Sequence, residues 1–470
     1  MPALEMMTRL LWILRVWLLL LLSPVFLWLS GCAPEVAPTP EMSRELVVAT
    51  RSSPTTYFID ADGKPSGFEY DLVKRFADAQ GWKVRFIVAA TLDELLDSVA
   101  SGRAHIAAAG MTASDERRRT LRFGPTYGQV KEWVICRSNS KLPRRVEDLI
   151  GLRVEVVAGS GHASHLNAYR RAVPDLQWVE MSVPSSEELL ERVDIGLADC
   201  TVADSDSLDV ARNFHPTLRE SFILASAQPL AWVVGQGMSS QFARHLSTFF
   251  QSMEKDRALA VLRERYFGHV TRLKEADVLG ILEKRDSLLQ MYKPFLQEAQ
   301  LQTGLDWRLL AAVAYQESQW NANAVSFTGV RGLMMLTGQT ADHLGVKNRL
   351  DPRESILGGA RYIVMLRDGL PEQVSEPDRT WLALAAYNIG SGHLHDARRL
   401  ARKLGKNPDS WADMKTVLPL LSRSQYASSL RYGFARGGEA RAMTENVRIY
   451  YDILAKYEKP YSEAADFSFD

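Results

Sequence analysis

Residues 314–341 read AYQESQWNANAVSFTGVRGLMMLTGQTA, and this segment decides how the second half of the chain is interpreted. It begins as the end of a predicted helix: Asp306 is a suitable N-cap, and Leu309, Val313 and Glu317 recur every four residues. This spacing places the Glu317 carboxyl group on the inward face of the helix, where apolar neighbours raise the pKa of a carboxyl group. Such a group can donate the proton that breaking a glycosidic bond requires; pairing with a cation is the structural alternative.

The sequence after this helix predicts a polar loop that returns into apolar core. Asn321, Asn323 and Ser326 follow the helix, and Gly329 and Gly332 lead into an apolar run. A helix end, an acid, a polar loop and a glycine-containing return together indicate a cleft rather than continuous core.

Three motifs resemble, in content and order, those of the lysozyme-like family of lytic murein transglycosylases. They are Glu317-Ser318 with Ser326, Gly329 to Met334 and Thr340-Ala341, then Ala386-Tyr387-Asn388-Ile389-Gly390, and finally Glu445 and Tyr450 within ENVRIY. The sequence departs from the common pattern at Met335, where many members have Gln, and at Ile389, where Ala is common; a proline usual shortly after Met335 is missing. One membrane-bound subgroup shares these variations, and the whole chain resembles it.

The resemblance implies a murein-degrading lytic transglycosylase, a carbon–oxygen lyase that acts on peptidoglycan glycan strands. Such an enzyme cleaves the β-1,4 bond between N-acetylmuramic acid and N-acetylglucosamine and leaves 1,6-anhydro ends. By the same resemblance Glu317 is the catalytic residue, and Ser326, Tyr387, Asn388 and Glu445 bind the substrate. A structural salt bridge is the alternative role for Glu445.

A second carboxyl group is missing from the first motif. Ordinary glycosidases use a pair of carboxyl groups, yet the loop after Glu317 offers no Asp or Glu before Asp342. One residue that acts as acid and then as base fits this pattern. A ligand-sensing lipoprotein with a catalytically weak lysozyme-like domain, and a hydrolytic lysozyme, are the alternatives. We predict no cofactor and no metal site.

Composition is that of an ordinary globular protein. The chain has 470 residues, of which 46% are hydrophobic and 24% charged, and its formal net charge is zero. This length accommodates two or three domains. The balanced charge and the lack of a long basic run argue against a nucleic-acid partner.

Residues 1–31 read as a lipoprotein-type signal peptide. Arg9 and Arg15 precede the apolar run Val16 to Leu29, which is shorter than a membrane-spanning helix requires. The run ends in Leu29-Ser30-Gly31-Cys32, which resembles the bacterial lipobox and implies lipidation at Cys32. Because Ala33 follows the cysteine, the resemblance implies the periplasmic face of the outer membrane of a Gram-negative bacterium. An ordinary secretory signal or an uncleaved anchor is the alternative.

Residues 32–43 are rich in proline and predict an extended tether that holds the body off the membrane. Residues 44–269 then alternate strand and helix patterns, with strands expected at Leu46–Ala49, Lys83–Val88, Ile106–Ala109 and Val154–Val157, and helices at Tyr70–Gln80 and Leu92–Ala100. Repeated strand–helix units predict two α/β lobes with parallel sheets and a ligand between them.

This region resembles the periplasmic solute-binding proteins for amino acids. The matching segments are Gly67-Phe68-Glu69-Tyr70-Asp71-Leu72, Gly102-Arg103, the run GMTASDER at 110–117, and Phe123-Gly124-Pro125-Thr126-Tyr127. The resemblance implies that Ser114 and Arg117 bind the carboxylate of an amino acid or cell-wall peptide, that Asp204 binds its amino group, and that Ser160 contributes from the second lobe. A solvated charge is the alternative for Arg117. We expect this domain to sense or orient rather than to transport.

Residues 270–290 are charged and helix-prone and predict a connector, and residues 291–470 predict a mainly helical domain. Within it, helices are expected at Arg379–Asn388, Leu418–Tyr432 and Glu439–Lys456. The predicted fold class is therefore multidomain: a two-lobed α/β periplasmic solute-binding domain followed by a mainly α lysozyme-like domain. Cys136 and Cys200 could form a disulfide or remain buried thiols, and the sequence does not decide between them.

Overall fold

A computed structural model describes residues 36–60, 63–138, 142–269, 273, 275–326, 329–427 and 430–462. The predicted signal peptide, the predicted lipidation site Cys32 and the start of the predicted tether lie outside the described residues, as do parts of the predicted connector and the last eight residues. Among the described residues, no helix combines the length and the apolar character needed to cross a membrane.

The first domain is built on ten strands: β1 (Glu45–Arg51), β2 (Phe58–Ile59), β3 (Pro65–Ser66), β4 (Lys83–Ala89), β5 (Ile106–Ala107), β6 (Phe123–Arg137), β7 (Val154–Val157), β8 (Val179–Met181), β9 (Cys200–Asp204) and β10 (Leu218–Val234). Eight of them form one sheet in the order β4-β1-β5-β10-β6-β9-β7-β8, and β2 pairs with β3.

The sheet corrects the prediction of two parallel sheets. Strands β4, β1 and β5 run parallel in the first lobe, as do β8, β7 and β9 in the second. Between them lie β6 and β10, which pair antiparallel with each other and with their neighbours β9 and β5. These two long strands, which the sequence reading did not predict, pass from one lobe to the other and join the lobes in one mixed sheet.

Helices cover both faces of this sheet. They are α1 (Pro40–Ser43), α2 (Phe68–Gln80), α3 (Leu92–Ala100), α4 (Gly161–Arg170), α5 (Ser186–Asp194), α6 (Ser205–Arg212), α7 (Ser240–Lys255) and α8 (Ala258–Phe267), with 3₁₀ turns at Arg117–Arg119 and Val146–Leu149. The expected strands and helices of the first lobe are therefore present, with ends shifted by at most two residues. Cys136 on β6 and Cys200 on β9 lie opposite each other and form a disulfide, which resolves the open alternative.

The described part of the predicted tether is attached to the first lobe. The backbone N–H of Ala37 donates to the Gly102 carbonyl at 2.9 Å, and the Pro38 carbonyl lies 2.9 Å from Nε2 of the buried His105. Pro40 is buried at the start of α1. From Val36 onward this segment therefore packs on the body instead of extending away from it.

The second domain is helical throughout. Its helices are α9 (Glu275–Lys284), α10 (Gln290–Thr303), α11 (Trp307–Ser318), α12 (Gly338–His343), α13 (Pro352–Asp368), α14 (Asp378–Ile389), α15 (Ser391–Lys403), α16 (Trp411–Val417), α17 (Ser424–Ala427) and α18 (Gly437–Tyr457). A π-helical turn, Arg285–Leu289, joins α9 to α10, and Leu418–Ser422 is a 3₁₀ helix.

Two expectations for this domain need correction. The segment Leu418–Tyr432 was expected to be a single helix. Its described part instead contains a 3₁₀ turn and the short α17, and residues 430–432 lie in neither a helix nor a strand. The predicted connector is not separate from the domain over its described part, because Val278, Ile281 and Leu289 are buried in the same core as α11. The helices expected at Arg379–Asn388 and Glu439–Lys456 correspond to α14 and α18.

The two domains meet at a buried group of charges. Glu264 of α8 pairs with Lys415 of α16 and, at 3.5 Å, with Arg448 of α18. Arg448 also donates to the Arg265 carbonyl at 3.0 Å, and Lys415 to the Gly268 carbonyl at 3.0 Å. The last helix of the first domain is thus bound directly to the core of the second.

Candidate functional site

The catalytic candidate Glu317 lies in the last turn of α11. The Asp306 side chain accepts a hydrogen bond from the Arg308 N–H at 2.8 Å and caps the helix as predicted. The helix ends at Gln319, which has a positive φ of 51°. Ser318 fixes this end, since its hydroxyl donates to the carbonyl oxygens of Ala314 and Leu333 at 3.0 and 2.9 Å.

Burial raises the pKa of the Glu317 carboxyl to about 7. Desolvation is the one cause of this shift, and among the described residues no hydrogen-bond donor contacts the carboxyl group. The side chain is only partly exposed, at the end of a helix that is buried from Trp307 to Tyr315. The prediction of an inward carboxyl group with a raised pKa is confirmed, and among the described residues Glu317 makes no ion pair.

The predicted polar loop folds back over the helix end. The Ser326 N–H donates to the Val330 carbonyl at 3.0 Å, and the Ser326 hydroxyl accepts from the Val330 N–H at 3.2 Å. Gly332 has a φ of 82°, and a Cβ there would lie 1.7 Å from the Arg349 carbonyl oxygen, so the return of the chain requires glycine. Ser326 thus sits in a tight turn beyond the helix that carries Glu317.

Tyr387 and Asn388 lie at the end of α14. The Tyr387 hydroxyl donates to the Met334 carbonyl at 2.5 Å, and its ring packs on Tyr362 with centroids 5.2 Å apart. Burial raises the pKa of Tyr387 well above its usual value. The charge of Glu317 is the next cause, so the Tyr387 hydroxyl lies near Glu317. Asn388 is exposed. Tyr387 of α14 therefore lies near Glu317 of α11, and Asn388 follows it at the exposed end of α14.

Glu445 is held differently from the other motif residues. It is 2% exposed, and its carboxylate accepts from Trp411 Nε1 at 2.7 Å, Arg448 Nη1 at 2.9 Å and Lys415 Nζ at 3.2 Å. Although burial opposes it, the charges of Arg448 and Lys415 lower the pKa of Glu445. Three donors already satisfy the Glu445 carboxylate, so the geometry favours the salt-bridge alternative.

The ligand candidates of the first domain surround a closed cleft between the lobes. Arg117 is 9% exposed and donates from Nη1 to the Thr112 carbonyl at 3.3 Å, while Ser114 Oγ accepts from the Arg117 N–H at 3.4 Å. Burial lowers the pKa of Arg117 to about 10, and the charge of Arg51 adds to this effect. Arg117 is buried, so the alternative of a solvated charge does not hold.

The second lobe supplies Ser160 and Asp204 to the same cleft. Ser160 caps α4 by accepting from the Ala163 N–H at 3.3 Å. Asp204 Oδ1 lies 3.2 Å from His162 Nε2, and burial raises the pKa of Asp204 despite this contact. All four predicted residues, Ser114 included, are therefore brought to one region; of the four, Arg117, Ser160 and Asp204 line the cavity itself.

Sequence reasoning missed three charged residues of this cleft. Arg51 ends β1 and Glu187 lies in the first turn of α5, and both line the cavity. Glu132 lies beside it on β6, a strand whose length and register were not predicted. A charged residue at the end of an otherwise apolar strand, as in Val47-Val48-Ala49-Thr50-Arg51, is the signal that could have indicated Arg51.

Three side-chain atoms beside this cavity could bind a metal ion. They belong to Glu132, His162 and Asp204 and lie within 4.8 Å of one another. Hydrogen bonds already engage atoms of this group, because His162 Nε2 lies 3.2 Å from Asp204 Oδ1 and His165 Nδ1 lies 2.7 Å from Glu132 Oε2. We therefore assign no metal to these residues.

Two family models match separate parts of the chain. Residues 46–269 match the family of bacterial extracellular solute-binding proteins, family 3, and residues 294–410 match the transglycosylase SLT domain. The arginine-binding protein of T. maritima, in its P235GK mutant form, has a solved structure with a TM-score of 0.45 at 22% identity, covering 49% of this chain and 97% of that one.

Relatives extend the match to nearly the whole chain. A protein of Thiobacillus denitrificans is 46% identical over 92% of both chains, and one of Nitrosospira multiformis is 43% identical over 94% of both. The chain thus joins a solute-binding domain to a transglycosylase domain, as a class of lytic murein transglycosylases does. Both relatives carry the name membrane-bound lytic murein transglycosylase F, and the chain belongs to that family.

The raised pKa of Glu317 makes stability depend on pH. A carboxyl group with a pKa of about 7 in the folded chain and 4.5 when unperturbed stabilises the fold fully below pH 4.5, and this contribution is lost as the pH rises through 7. We expect Glu317→Gln to match the wild type near pH 4.5 and to be more stable at pH 8, by at most about 3 kcal/mol. Thermal unfolding at both pH values measures this difference.

The exposed Glu372→Gln is the matched control and should show no such pH dependence. An advantage of Glu317→Gln that is equal at both pH values would contradict the assignment of a raised pKa.

Proposed function

We propose that this chain cleaves the glycan strands of peptidoglycan without water, at the β-1,4 bond between N-acetylmuramic acid and N-acetylglucosamine. The observation that carries the proposal is the isolation of Glu317: its pKa is raised to about 7 by burial alone, with no contribution from a second acid. A retaining hydrolase needs a second carboxyl group about 5 Å away, and an inverting one needs it at about 6.5–9.5 Å. A single poised carboxyl group suits a reaction whose nucleophile belongs to the substrate.

Glu317 then acts twice. As an acid it gives its proton to the bridging oxygen, and the bond between that oxygen and C1 of N-acetylmuramic acid breaks. The N-acetyl group of the same sugar stabilises the cationic centre. As a base, the ionised Glu317 takes the proton from the sugar's own O6 while the O6–C1 bond forms. Its protonated state is restored, and because the nucleophile is intramolecular, proximity replaces water.

The neighbouring motif residues position the sugar. Ser326 hydrogen-bonds the substrate near the reacting ring from its turn beyond α11, and the exposed Asn388 binds it from the end of α14. Tyr387 holds the Met334 carbonyl and so fixes the loop against the catalytic helix. In this proposal Glu445 braces the cleft through Trp411, Lys415 and Arg448 rather than by touching the substrate.

The substitution Glu317→Gln tests the reaction and the residue together. A glutamine cannot give up a proton, so we expect the release of soluble products from purified murein sacculi to fall by about 10²–10⁴-fold. Mass spectrometry identifies wild-type products by their anhydro-muramic ends. The exposed Glu372→Gln should retain wild-type activity. Wild-type products with hydrated reducing ends would contradict the proposal and indicate a hydrolytic lysozyme.

We also propose that an amino acid or cell-wall peptide bound in the first domain modulates this activity. Helix α8 supports this link, because two adjacent residues on it contact the cleft of the first domain and the core of the second domain. Arg263 lines the cleft and pairs with Asp206 of the second lobe at 2.8 Å, and Glu264 pairs with Lys415 of the second domain. A change in the separation of the lobes would therefore act on α8 and on the charges that brace the catalytic core.

Ligand-dependent turnover tests this link. We expect a saturating amino acid ligand to change the rate of product release from sacculi in the wild type, and Arg117→Ala to remove the response without changing the basal rate. Arg119→Ala, which replaces a neighbouring exposed arginine, should respond as the wild type does. An unchanged wild-type rate across all amino acids and murein peptides supplied would refute the modulation.

Finally, we propose that Cys32 carries a lipid anchor in the outer membrane, with the body on its periplasmic side. The lipobox-like Leu29-Ser30-Gly31-Cys32 and the family's membrane-bound relatives support this. Metabolic labelling with palmitate and membrane fractionation should find labelled wild type in the outer membrane and unlabelled Cys32→Ala absent from it. Ala33→Asp should keep the label and remain in the inner membrane. Labelled Cys32→Ala would contradict the anchor site.

A further inference from the structure

The cleft of the first domain is closed around a small polar cavity. The Ser53 and Thr55 hydroxyls of the first lobe donate to Glu187 of the second lobe at 2.9 and 3.2 Å, which brings the lobes together. The volume of the cavity is about 80 Å³, which suits a small ligand of the size of an amino acid.

The carboxylates around this cavity already have partners. Glu132 Oε2 lies 2.7 Å from His165 Nδ1, and Asp204 lies 3.2 Å from His162. Glu187 accepts from two hydroxyl groups. Burial works against the charged form of His162, but the charges of Glu132 and Asp204 outweigh it and raise its pKa. The acids are therefore largely balanced by the histidines and hydroxyls beside them.

The two guanidinium groups are not balanced in this way. In the described part of the chain, no carboxylate lies within 4.0 Å of Arg51 or Arg117, although both line the cavity. Arg51 Nε and Arg117 Nη2 are buried and have no hydrogen-bond partner there. Arg51 makes only a long contact from Nη2 to the Ala109 carbonyl, at 3.5 Å, and Arg117 one from Nη1 to the Thr112 carbonyl.

Two guanidinium groups without a carboxylate partner at one cavity indicate a ligand that carries two anionic groups. A buried charge without a partner is costly, and the planar fork of arginine matches a carboxylate in two-point contact. The charges of the pair also oppose each other, because Arg51 lowers the pKa of Arg117. A ligand with one carboxylate would satisfy Arg117 and leave the buried Nε of Arg51 without a partner.

One carboxylate oxygen near the cavity also lacks a hydrogen-bond partner among the described residues. Glu132 Oε1 is buried without a partner, and it would lie 3.6 Å from a Cβ built on Gly161 at the start of α4. Asp204 is on the adjoining strand, with which Glu132 is paired in register. These two carboxylates offer a place for one ammonium group on the side of the second lobe.

We propose that the first domain binds a free acidic amino acid, with Arg51 pairing the side-chain carboxylate, Arg117 the α-carboxylate, and Glu132 and Asp204 the ammonium group. This deepens the proposed ligand role of the domain and assigns specificity to Arg51. Neutral amino acids bind less tightly because they leave the Arg51 guanidinium without an anion.

Calorimetric titration of the full chain in detergent tests the assignment. The probes are L-glutamate and L-aspartate, each against its amide, L-glutamine and L-asparagine. We expect at least one acid to bind about 10- to 100-fold more tightly than its amide, the range for a charge-assisted hydrogen bond. Arg51→Met should lower the affinity for that acid to the level of the amide and leave the affinity for the amide within about 3-fold.

Three variants separate specificity from folding. Arg51→Lys keeps the charge and should recover part of the preference for the acid. Arg117→Met should weaken acid and amide alike, and the exposed Arg119→Met should change neither. Thermal unfolding of each variant verifies that the first domain is folded.

Two results would overturn the proposal, and they differ in what else they overturn. If acid and amide bind equally, or if folded Arg51→Met keeps the preference, the acidic ligand class is wrong while a ligand role for the domain stands. If no amino acid binds the wild type, the amino acid role of the domain fails as well. Formation of anhydro products from sacculi, measured in parallel, shows in either case whether the catalytic function holds.

Discussion

Burial of the helix α11 is the constraint on which the catalytic half of the molecule depends. Nine consecutive residues, from Trp307 to Tyr315, are buried, so the helix has no solvated face over most of its length. Close-packed surroundings of this kind hold a backbone in one position. Glu317 follows within the same helix, near its C-terminal end, where the core still excludes water from the carboxyl group. The fold thus supplies both the position of this carboxyl group and its raised pKa, and burial is the cause.

The burial of α11 also explains why the motif residues have different structural roles. Ser318 ties the helix end to the Leu333 carbonyl, and Tyr387 holds the carbonyl of the next residue, Met334. Both contacts are made to backbone atoms of the returning loop, so they fix its path whatever side chains it carries. Glu445, by contrast, belongs to the charges that join α16 and α18 to the first domain. Its position in the third motif therefore coincides with the contact between the two domains.

Much of this could be predicted from the sequence because the relevant signals are local. Three such signals depend only on the neighbouring backbone: the N-cap Asp306, the four-residue spacing to Glu317 and the glycine at 332. The strands and helices of the first lobe were predicted for the same reason. What could not be predicted depends on pairing between distant segments. The course of β6 and β10 through both lobes, the disulfide between Cys136 and Cys200, and the meeting of Arg51 with Arg117 arise only when the sheet is assembled. The described part of Leu418–Tyr432 differs from the expected single helix because an apolar pattern does not distinguish a 3₁₀ turn from a longer helix.

The attachment of Val36–Ser43 to the first lobe has a consequence for where the molecule can act. Ala37 is hydrogen-bonded to Gly102, so only five peptide units separate the proposed lipid-bearing Cys32 from the body. A chain of this length spans at most about 18 Å. Such an enzyme would work on the layer of murein next to its membrane, with the end of the first lobe that carries His105 turned towards the lipid. Its range would then be set by the diffusion of its anchor in the plane of the membrane, rather than by the reach of a flexible arm.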